Sequence, residues 1–271
     1  EATNGMSQIT SPLKPKYTAL AENHGKFEIL GCYPGYGATL GNALRRVILS
    51  SLEGAAVTSV KIKGVSHEFS AVEGVLEDVV QIILNLKQVR FRLHDEGPVK
   101  VSLKNKGEGP VTAAAIKAPS NVEIVNPDQL IATVTDKKMD LDMEIEISKG
   151  LGYQPVESRE REEAEIGVIA IDAIYTPIKR VNYEIENMRV GKRTDYDKVT
   201  LEIVTDGSVS PEEAFAKSVD ILVSQFSSLV GTETEAAVAS SEEEVSEAVE
   251  GEVLPEEKEK KPRKKKAETE A

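Results

Sequence analysis

Two glycines precede the first long apolar helix pattern, in an arrangement that opens many nucleotide-binding helices. Gly35 and Gly37 follow a strand pattern and come directly before the helix. A dinucleotide-binding turn also requires a third glycine at position 40, where the helix packs closely on the strand. Leu40 stands there, Gly41 comes one residue late, and no Gly-Lys-Ser/Thr phosphate loop occurs in the sequence. The pattern therefore argues against a nucleotide site.

Four acidic residues alternate with apolar ones in the segment Asp140-Leu-Asp-Met-Glu-Ile-Glu146. Carboxylates are the ligands that Mg²⁺ prefers, but octahedral coordination requires that several of them converge on one point. Strict alternation instead indicates a strand whose apolar residues face a core and whose acids face water. We predict a sheet surface here and not a metal site.

The sequence lacks the residue patterns that are usual for nucleophilic catalysis and for zinc binding. Cys32 is the single cysteine, and neither it nor any serine lies in a recognisable nucleophile elbow. His67-Glu68 lacks the second histidine of a zinc-protease helix. We therefore predict that this chain performs no catalysis alone and binds no cofactor.

The negative charge of the chain bears on its partners. The net charge is −13 over 271 residues, and Thr232–Ala271 carries −6 of it. The remaining acidic body is a poor partner for duplex DNA, because such affinity comes largely from Lys and Arg on phosphates. We also expect no signal peptide and no membrane span, since no stretch reaches the ~20 apolar residues that a span requires.

Large hydrophobic residues become sparse after Gly231. Such a segment cannot bury enough apolar surface to offset its ordering entropy, so residues 232–271 are predicted to be a disordered tail that is acidic and then basic. Lys258–Lys266 holds seven Lys or Arg in nine residues. Two interpretations of it stay open: a solubilising end, and a weak nucleic-acid contact through Lys264, Lys265 and Lys266.

Amphipathic patterns predict helices over Thr39–Ser51, Val75–Gln88 and Ser210–Val230. Ser210 and Glu213 have the spacing of a capping box at the start of the last helix. Strand patterns surround the helices, at Lys26–Leu30, Val57–Ile62, Val99–Leu103, Val122–Val125, Met139–Ile147, Ile166–Tyr175, Arg180–Ile185 and Lys198–Val204. Because strands outnumber helices and do not alternate with them, the sequence predicts an α+β fold.

Two adjacent arginines, Arg45 and Arg46, lie inside the otherwise apolar pattern of the first helix. Arginine is favoured where a charged side chain donates several hydrogen bonds in one plane at an interface. The residues alone fit a solvated helix face equally well.

The segment Gly37-Ala-Thr-Leu-Gly-Asn-Ala-Leu-Arg-Arg-Val-Ile-Leu-Ser-Ser51 resembles the first long helix of the alpha subunits of bacterial-type RNA polymerases. Other segments resemble landmarks of that family, in the family's order: Val65-Ser-His-Glu-Phe-Ser70, Glu73-Gly-Val-x-Glu-Asp78, Leu84-Asn-Leu-Lys87, Gly109-Pro-Val-Thr-Ala113, Val122-Glu-Ile-Val125, Gly150-x-Gly-Tyr153, Asp172-Ala173, Arg193-Thr-Asp195 and Pro211-Glu-Glu-Ala214. The resemblance covers about Leu13 to Val230.

The resemblance implies a discontinuous architecture. Residues 1–53 and 179–231 would form a dimerisation domain with two long helices packed on a sheet, and residues 54–178 a mostly β insertion domain. The apolar stripes of the two helices would then pair across a two-fold axis as a self-complementary interface. Five residues are candidates for that contact or for the core beneath it: Leu40, Leu44, Phe215, Leu222 and Phe226.

The resemblance also implies a role as a non-catalytic subunit of a nucleotidyltransferase, DNA-directed RNA polymerase. The homodimer would form first, one protomer capturing the beta subunit and the other the beta-prime subunit. Arg46 and Leu49, with the adjacent Arg45, would contact beta. The contacts to beta-prime would come from Lys87 and from a strand that contains Ile171, Asp172 and Ala173.

The family further implies where the remaining chemistry lies. Catalytic Mg²⁺ would be held by beta-prime, and DNA would be met only through the complex. The location would be cytoplasmic and associated with the nucleoid, with a plastid stroma left open. A usual member also carries a C-terminal domain that binds upstream promoter DNA. Here we expect that contact to be absent, unless the basic cluster Lys258–Lys266 substitutes for it weakly.

Overall fold

The fold is taken from a computed structural model that describes residues 9–159 and 167–230. By compactness the chain divides into two units, Glu1–Val223 and Ser224–Ala271, and both sheets with their cores lie in the first. Three α-helices occur in the described residues: α1 (Tyr36–Ser50), α2 (Val79–Leu86) and α3 (Pro211–Val230). None of them has both the length and the apolar character needed to cross a membrane.

The first sheet is antiparallel and has four strands in the order β1-β2-β15-β14. Their bounds are β1 (Lys16–Ala21), β2 (His24–Cys32), β14 (Ile178–Val190) and β15 (Arg193–Thr205). Residues alternate between buried and half-buried along β2 and along the second half of β15, because one face of the sheet is covered. The covering elements are α1 and the first turns of α3, where Phe215 stacks on Phe27 with ring centroids 4.2 Å apart.

The second sheet is larger and has the order β7-β5-β10-β3-β4-β8, with β12 also paired to β3. Its strands are β3 (Glu53–Ile62), β4 (Phe91–Leu93), β5 (Val99–Lys106), β7 (Ile116–Lys117), β8 (Val122–Ile124), β10 (Asp140–Leu151) and β12 (Val168–Ala170). Two short ribbons accompany it, β6 (Gly109–Thr112) with β9 (Leu130–Val134), and β11 (Tyr153–Gln154) with β13 (Ala173–Ile174).

Each sheet has its own hydrophobic core. The core of the first sheet draws its buried residues from positions 27–52 and 178–214, and that of the second from positions 57–171, including the buried face of α2. Between them, Arg90 lies 3.4 Å from Asp206, and Arg92 donates to the carbonyl oxygens of Gly207 and Ser208. Arg90, directly before β4, and Arg92, within it, therefore fasten the second sheet to the segment between β15 and α3.

Strand β10 confirms the interpretation of the alternating acidic segment. Leu141, Met143, Ile145 and Ile147 are all buried against the second core, whereas the acids between them are exposed or half-buried. Two of these acids pair with lysines of the neighbouring strand β5, Asp142 with Lys104 and Asp140 with Lys106. The carboxylates thus line a solvated sheet face.

The α+β class is confirmed, and several predicted bounds are corrected. Helix α2 begins at Val79 and not at Val75, because the Asp78 side chain accepts the N–H of Gln81 and caps the helix there. The strand predicted over Ile166–Tyr175 is divided into β12 and β13, and Ile166 lies outside the described residues. The sequence patterns missed β1, β4, β6, β7, β9 and β11.

Candidate interaction surfaces

The glycines before α1 bind a carboxylate of the chain itself. Gly35 has a φ of 84° and occupies the N-cap position. Asp197, nearly buried in β15, accepts the N–H groups of Gly35 and Gly37 through one oxygen, each at 3.0 Å. A helix N-terminus attracts anions through such free N–H groups. Asp197 therefore caps the start of α1 with a negative charge from within the chain.

Gly41 has a packing role on the same helix. A β-carbon placed there would lie 2.7 Å from the ring of Tyr183 in β14, so only glycine lets α1 approach the sheet this closely. The spacing of the glycines in this segment is therefore explained by capping and by close helix–sheet packing.

The hairpin between β14 and β15 also holds the loop that enters α1. The Arg193 guanidinium forms a bidentate pair with Asp195 and lies over the rings of Tyr33 and Tyr196, at 5.7 and 5.4 Å from their centroids. Its pKa is raised, first by the hydrogen bond to Asp195 and then by one to Tyr33. The charged motif Arg193-Thr-Asp195 thus acts locally, by holding the loop that leads into α1.

The predicted beta-contact residues of α1 differ in accessibility. Arg46 is exposed, so its guanidinium is available to a partner. Arg45 is half-buried, and its Nε donates to the carbonyl oxygen of Val181 at 3.2 Å. Leu49 is half-buried against the first core. The structure therefore places Arg45 in contact with its own sheet and leaves Arg46 as the outward member of the pair.

The predicted beta-prime contacts come together in space although 85 positions separate them in the chain. Lys87 ends α2, and its Nζ lies 3.7 Å from the Oδ2 of Asp172. Ile171 and Ala173 are buried, whereas Asp172 between them points outward. The strand predicted to contain all three residues is interrupted, because residues 171–172 lie between β12 and β13. The side chains of Ile171 and Ala173 face inward, and the contact of this segment with beta-prime stays a prediction.

Asp172 is the centre of a small polar network. Its Oδ1 accepts the N–H of Val156 at 3.0 Å, and this hydrogen bond, followed by the positive charges of Lys87 and Arg159, lowers the Asp172 pKa. The pKa of Tyr153 is raised by desolvation and then by the negative charge of Asp172. Sequence reasoning assigned no role to Tyr153, although it lies in the motif Gly150-x-Gly-Tyr153.

The predicted dimer residues divide into core and surface. Leu44 is buried, and Leu40, Phe215 and Leu222 are half-buried against the first core. Phe226 is 60% exposed, on the α3 face that continues the stripe of Phe215 and Leu222. Val223 and Leu229 are 58% and 79% exposed near it. Three exposed apolar side chains thus lie on the C-terminal half of α3.

Other candidate chemistry is not supported in the described part of the chain. No three His, Cys, Asp or Glu side chains among residues 9–159 and 167–230 are grouped to hold a metal ion. Cys32 is fully buried, and desolvation together with the charge of Asp197 raises its thiol pKa. The tail residues Lys264, Lys265 and Lys266 lie outside the described residues.

A groove of about 640 Å³ lies beside the start of α3 and is lined by charges of both signs, among them Glu53, Arg92, Lys149 and Glu213. Arg92 is already engaged with Glu123 and with the backbone of Gly207 and Ser208. The groove therefore presents no convergent set of groups of one charge for a ligand.

Comparisons with known proteins agree with this arrangement. Residues 60–176 match the family model described as the RNA polymerase Rpb3/RpoA insert domain. The chain is 49% identical over 240 residues to the DNA-directed RNA polymerase subunit alpha of Roseiflexus castenholzii, covering 86% of this chain and 73% of that one. It is 53% identical over 213 residues to the subunit alpha of Symbiobacterium thermophilum, covering 77% and 67% of the two chains. The subunit alpha of Herpetosiphon aurantiacus is 49% identical over 225 residues, or 83% and 67%. The chain belongs to the family of DNA-directed RNA polymerase alpha subunits.

Proposed function

We propose that this chain is a non-catalytic assembly subunit of DNA-directed RNA polymerase, which forms a homodimer and recruits the two large subunits. The observation that carries the proposal is the identity of about half of all residues with alpha subunits over most of the chain. In this proposal the beta-prime subunit binds the catalytic Mg²⁺, and this chain contacts DNA only through the complex. The complex resides in the cytoplasm with the nucleoid.

We further propose that residues 1–53 and 179–231 act as a dimerisation domain and residues 54–178 as an insertion domain. The two separate cores and the match over residues 60–176 support this division. Residues 232–271 are left as a tail, with a weak nucleic-acid contact through Lys264, Lys265 and Lys266 as its candidate role.

The dimer contact is proposed to centre on Phe226. An exposed aromatic next to Val223 and Leu229 is costly in water and becomes favourable when a second copy covers it. The other residues proposed for the dimer contact or for the core beneath it are buried or half-buried in the first core: Leu40, Leu44, Phe215 and Leu222.

Light scattering on the full chain tests this contact. The wild type is expected at the mass of two chains, and Phe226→Arg at the mass of one, because an unpaired charge at the centre of an apolar interface is strongly disfavoured. Ser224→Arg adds the same charge near the opposite side of α3 and is expected to remain dimeric. A monomeric wild type would contradict the proposal.

Contacts with the large subunits are proposed to come from two surfaces. Arg46, with Leu49 and Arg45 beside it, contacts beta, and Lys87 with the Ile171–Ala173 segment contacts beta-prime. The exposure of Arg46 and the outward orientation of Asp172 support these roles.

Co-purification of the full chain with beta, and then with beta-prime, tests both surfaces. Loss of an interface anchor costs about 2 kcal/mol or more, which is roughly a 30-fold weaker complex. Arg46→Ala is expected to weaken beta capture to that degree, and Lys87→Ala to weaken beta-prime capture. Lys106→Ala removes a comparable exposed cation from β5 and is expected to change neither. Unchanged capture of both subunits by the first two variants would contradict the proposed surfaces.

The tail contact has its own test. A mobility shift of upstream DNA that weakens with salt and is lost in a version ending at Gly231 would support it, since phosphate contacts release counterions. Equal shifts by the two versions would contradict it.

A further inference from the structure

The chain passes from one sheet to the other at two places that lie side by side. It leaves the first core after Leu52 and enters β3 at Glu53, and it returns from β13 to β14 through residues 175–177. A β-carbon on Gly54 would overlap the carbonyl oxygen of Tyr175, so the two connections touch through their backbones. So close an approach requires glycine at position 54.

Tyr175 holds these two connections against β10 of the second sheet. Its side chain is buried, its hydroxyl hydrogen-bonds the Ser148 hydroxyl at 2.8 Å, and its N–H donates to the carbonyl oxygen of Gly152. A β-carbon on Gly150 would lie 2.5 Å from its ring, so the ring packs directly on the strand backbone. Gly54 and Tyr175 are therefore the pivot between the sheets, a single place where both connections are fixed.

A second attachment between the sheets is polar, and we call it the latch: Arg90, Arg92 and residues 206–208. The Nε of Arg90 lies 3.4 Å from the Oδ2 of Asp206, and Arg92 donates to the carbonyl oxygens of residues 207 and 208. Asp206 is held in place because its Oδ1 accepts the N–H and the hydroxyl of Ser208. Such polar contacts are exchanged for contacts with water at a small net cost.

The space beside the latch is not filled by a shared core. The buried residues of the two sheets form separate clusters. The groove of about 640 Å³ lies there instead, lined by Glu213 and Lys217 of α3 and by Leu93 and Lys149 of the second sheet. Units joined by a small polar interface usually move relative to each other, and the movement is absorbed by a few residues at the ends of elements.

We propose that the two sheets form a hinged pair, in which the pivot joins them and the latch holds one angle between them. Release of the latch lets the second sheet move relative to α3 about the pivot, while both cores stay intact. Because α1 packs on the first core and α2 on the second, this angle sets the separation of the surfaces that carry Arg46 and Lys87. The movement belongs to the free chain, so it does not depend on the proposed function.

Pulsed electron paramagnetic resonance between two spin labels measures the distance from one sheet to the other. The labels are attached at Lys100→Cys in β5 and at Glu184→Cys in β14, two exposed strand positions. The buried native cysteine is removed by Cys32→Ala. Labelled full chain is equilibrated with an excess of unlabelled full chain, so that only distances within one chain contribute. A single narrow distance distribution is expected for the latched chain.

Variants open the latch from either side. Asp206→Ala removes the acceptor of Arg90 and of Ser208, and it is expected to widen the distance distribution about twofold. Arg90→Gln combined with Arg92→Gln removes the donors of the second sheet and should widen it to the same degree. Asp140→Ala removes an exposed carboxylate of β10 and should leave the distribution unchanged. An unchanged distribution in both latch variants, or a wild-type distribution as wide as theirs, would overturn the latch.

Hydrogen exchange distinguishes movement about the pivot from unfolding. In Asp206→Ala the N–H of Tyr175 is expected to keep its protection, because the pivot stays packed. The N–H of Ile145, in a strand that is paired on both sides, should keep it too. Loss of protection at Tyr175 alone would show that the sheets do not move about this pivot. Loss at Ile145 as well would show that Asp206 supports the fold of the second sheet and does not set an angle.

Discussion

The carboxylate of Asp197 caps Gly37, a residue 160 positions earlier in the chain, with an oxygen-to-nitrogen distance of 3.0 Å. A β-carbon on Gly37 would lie 2.8 Å from Asp197, so Asp197 can lie this close to the helix start only when position 37 is glycine. The start of α1, and with it the direction in which Arg46 points, is thereby set by the neighbouring sheet and not by a local cap.

Replacing Asp197 with alanine is expected to lower the free energy of unfolding by about 1–3 kcal/mol, because two N–H groups lose a charged acceptor. Asp197→Asn keeps an acceptor oxygen and should lose less. Urea denaturation provides the measurement. Asp140→Ala removes an exposed strand carboxylate and is expected to stay within about 0.5 kcal/mol of wild type. Equal effects at the two positions would contradict the capping role.

Gly41→Ala tests the close approach of α1 to β14. Alanine is the better helix former by about 1 kcal/mol, so a surface position would gain stability. Here the added methyl group meets the Tyr183 ring, and overpacking of about 1–3 kcal/mol should give a net loss. In a Tyr183→Leu background the methyl group has more room, and the loss should shrink in a double-mutant cycle. Additive effects in that cycle would argue against the contact.

Ser210 caps α3 as the sequence predicted: its Oγ accepts the N–H of Glu213 at 3.2 Å, and the Glu213 carboxylate accepts the N–H of Ser210 at 3.4 Å. Ser210→Ala is expected to lower stability by about 1 kcal/mol, and Ser210→Asp to restore most of it. Ser228→Ala, near the other end of α3, should have little effect. Thermal unfolding of the three variants measures this order of stabilities. A Ser210→Ala variant as stable as wild type would contradict the capping role.

The Asp172 network predicts a dependence of stability on pH at both extremes. The Asp172 pKa is lowered in the folded state, so its contribution is present above the ordinary value of about 4 and is lost as the pH falls through the lower folded value. The Tyr153 pKa is raised, so its contribution is present below about pH 10 and is lost as the pH rises beyond that.

Urea midpoints across the pH range measure this dependence. The difference between wild type and Asp172→Asn should be constant near neutral pH and shrink below about pH 4. The difference between wild type and Tyr153→Phe should shrink only above about pH 10. Differences that do not change with pH would show that the two groups do not interact in the folded state.

Much of the fold was predicted from local sequence patterns. The alternation in β10 and the capping box at Ser210 each involve residues within one element, so their periodicity or spacing reveals them. Strand β1 was missed because nearly all its residues are exposed and no alternation marks it. The start of α2 was placed four residues early because Val75 continues the apolar pattern, whereas it pairs with Val134 in an isolated bridge.

The candidate surfaces were predicted less completely, since long-range contacts decide them. Nothing near Arg45 in the sequence shows that its Nε is engaged by Val181. The inward orientation of Ile171 and Ala173 was accessible from their alternation with Asp172, but the resemblance treated the three residues as one strand. Tyr153 was missed because Asp172, whose negative charge contributes to its raised pKa, comes 19 positions later in the chain, directly before β13.

The segment between β15 and α3 concentrates several roles in a few residues. Asp206 pairs with Arg90, the carbonyl oxygens of Gly207 and Ser208 bind Arg92, and Ser210 begins α3. Surface loops usually tolerate insertions. This loop should not tolerate them, because a single added residue would displace the groups that bind Arg90 and Arg92 relative to the start of α3. A tag or reporter is better placed at the turn around Gly107, where a β-carbon would meet no atom within 4 Å, than in the loop before α3.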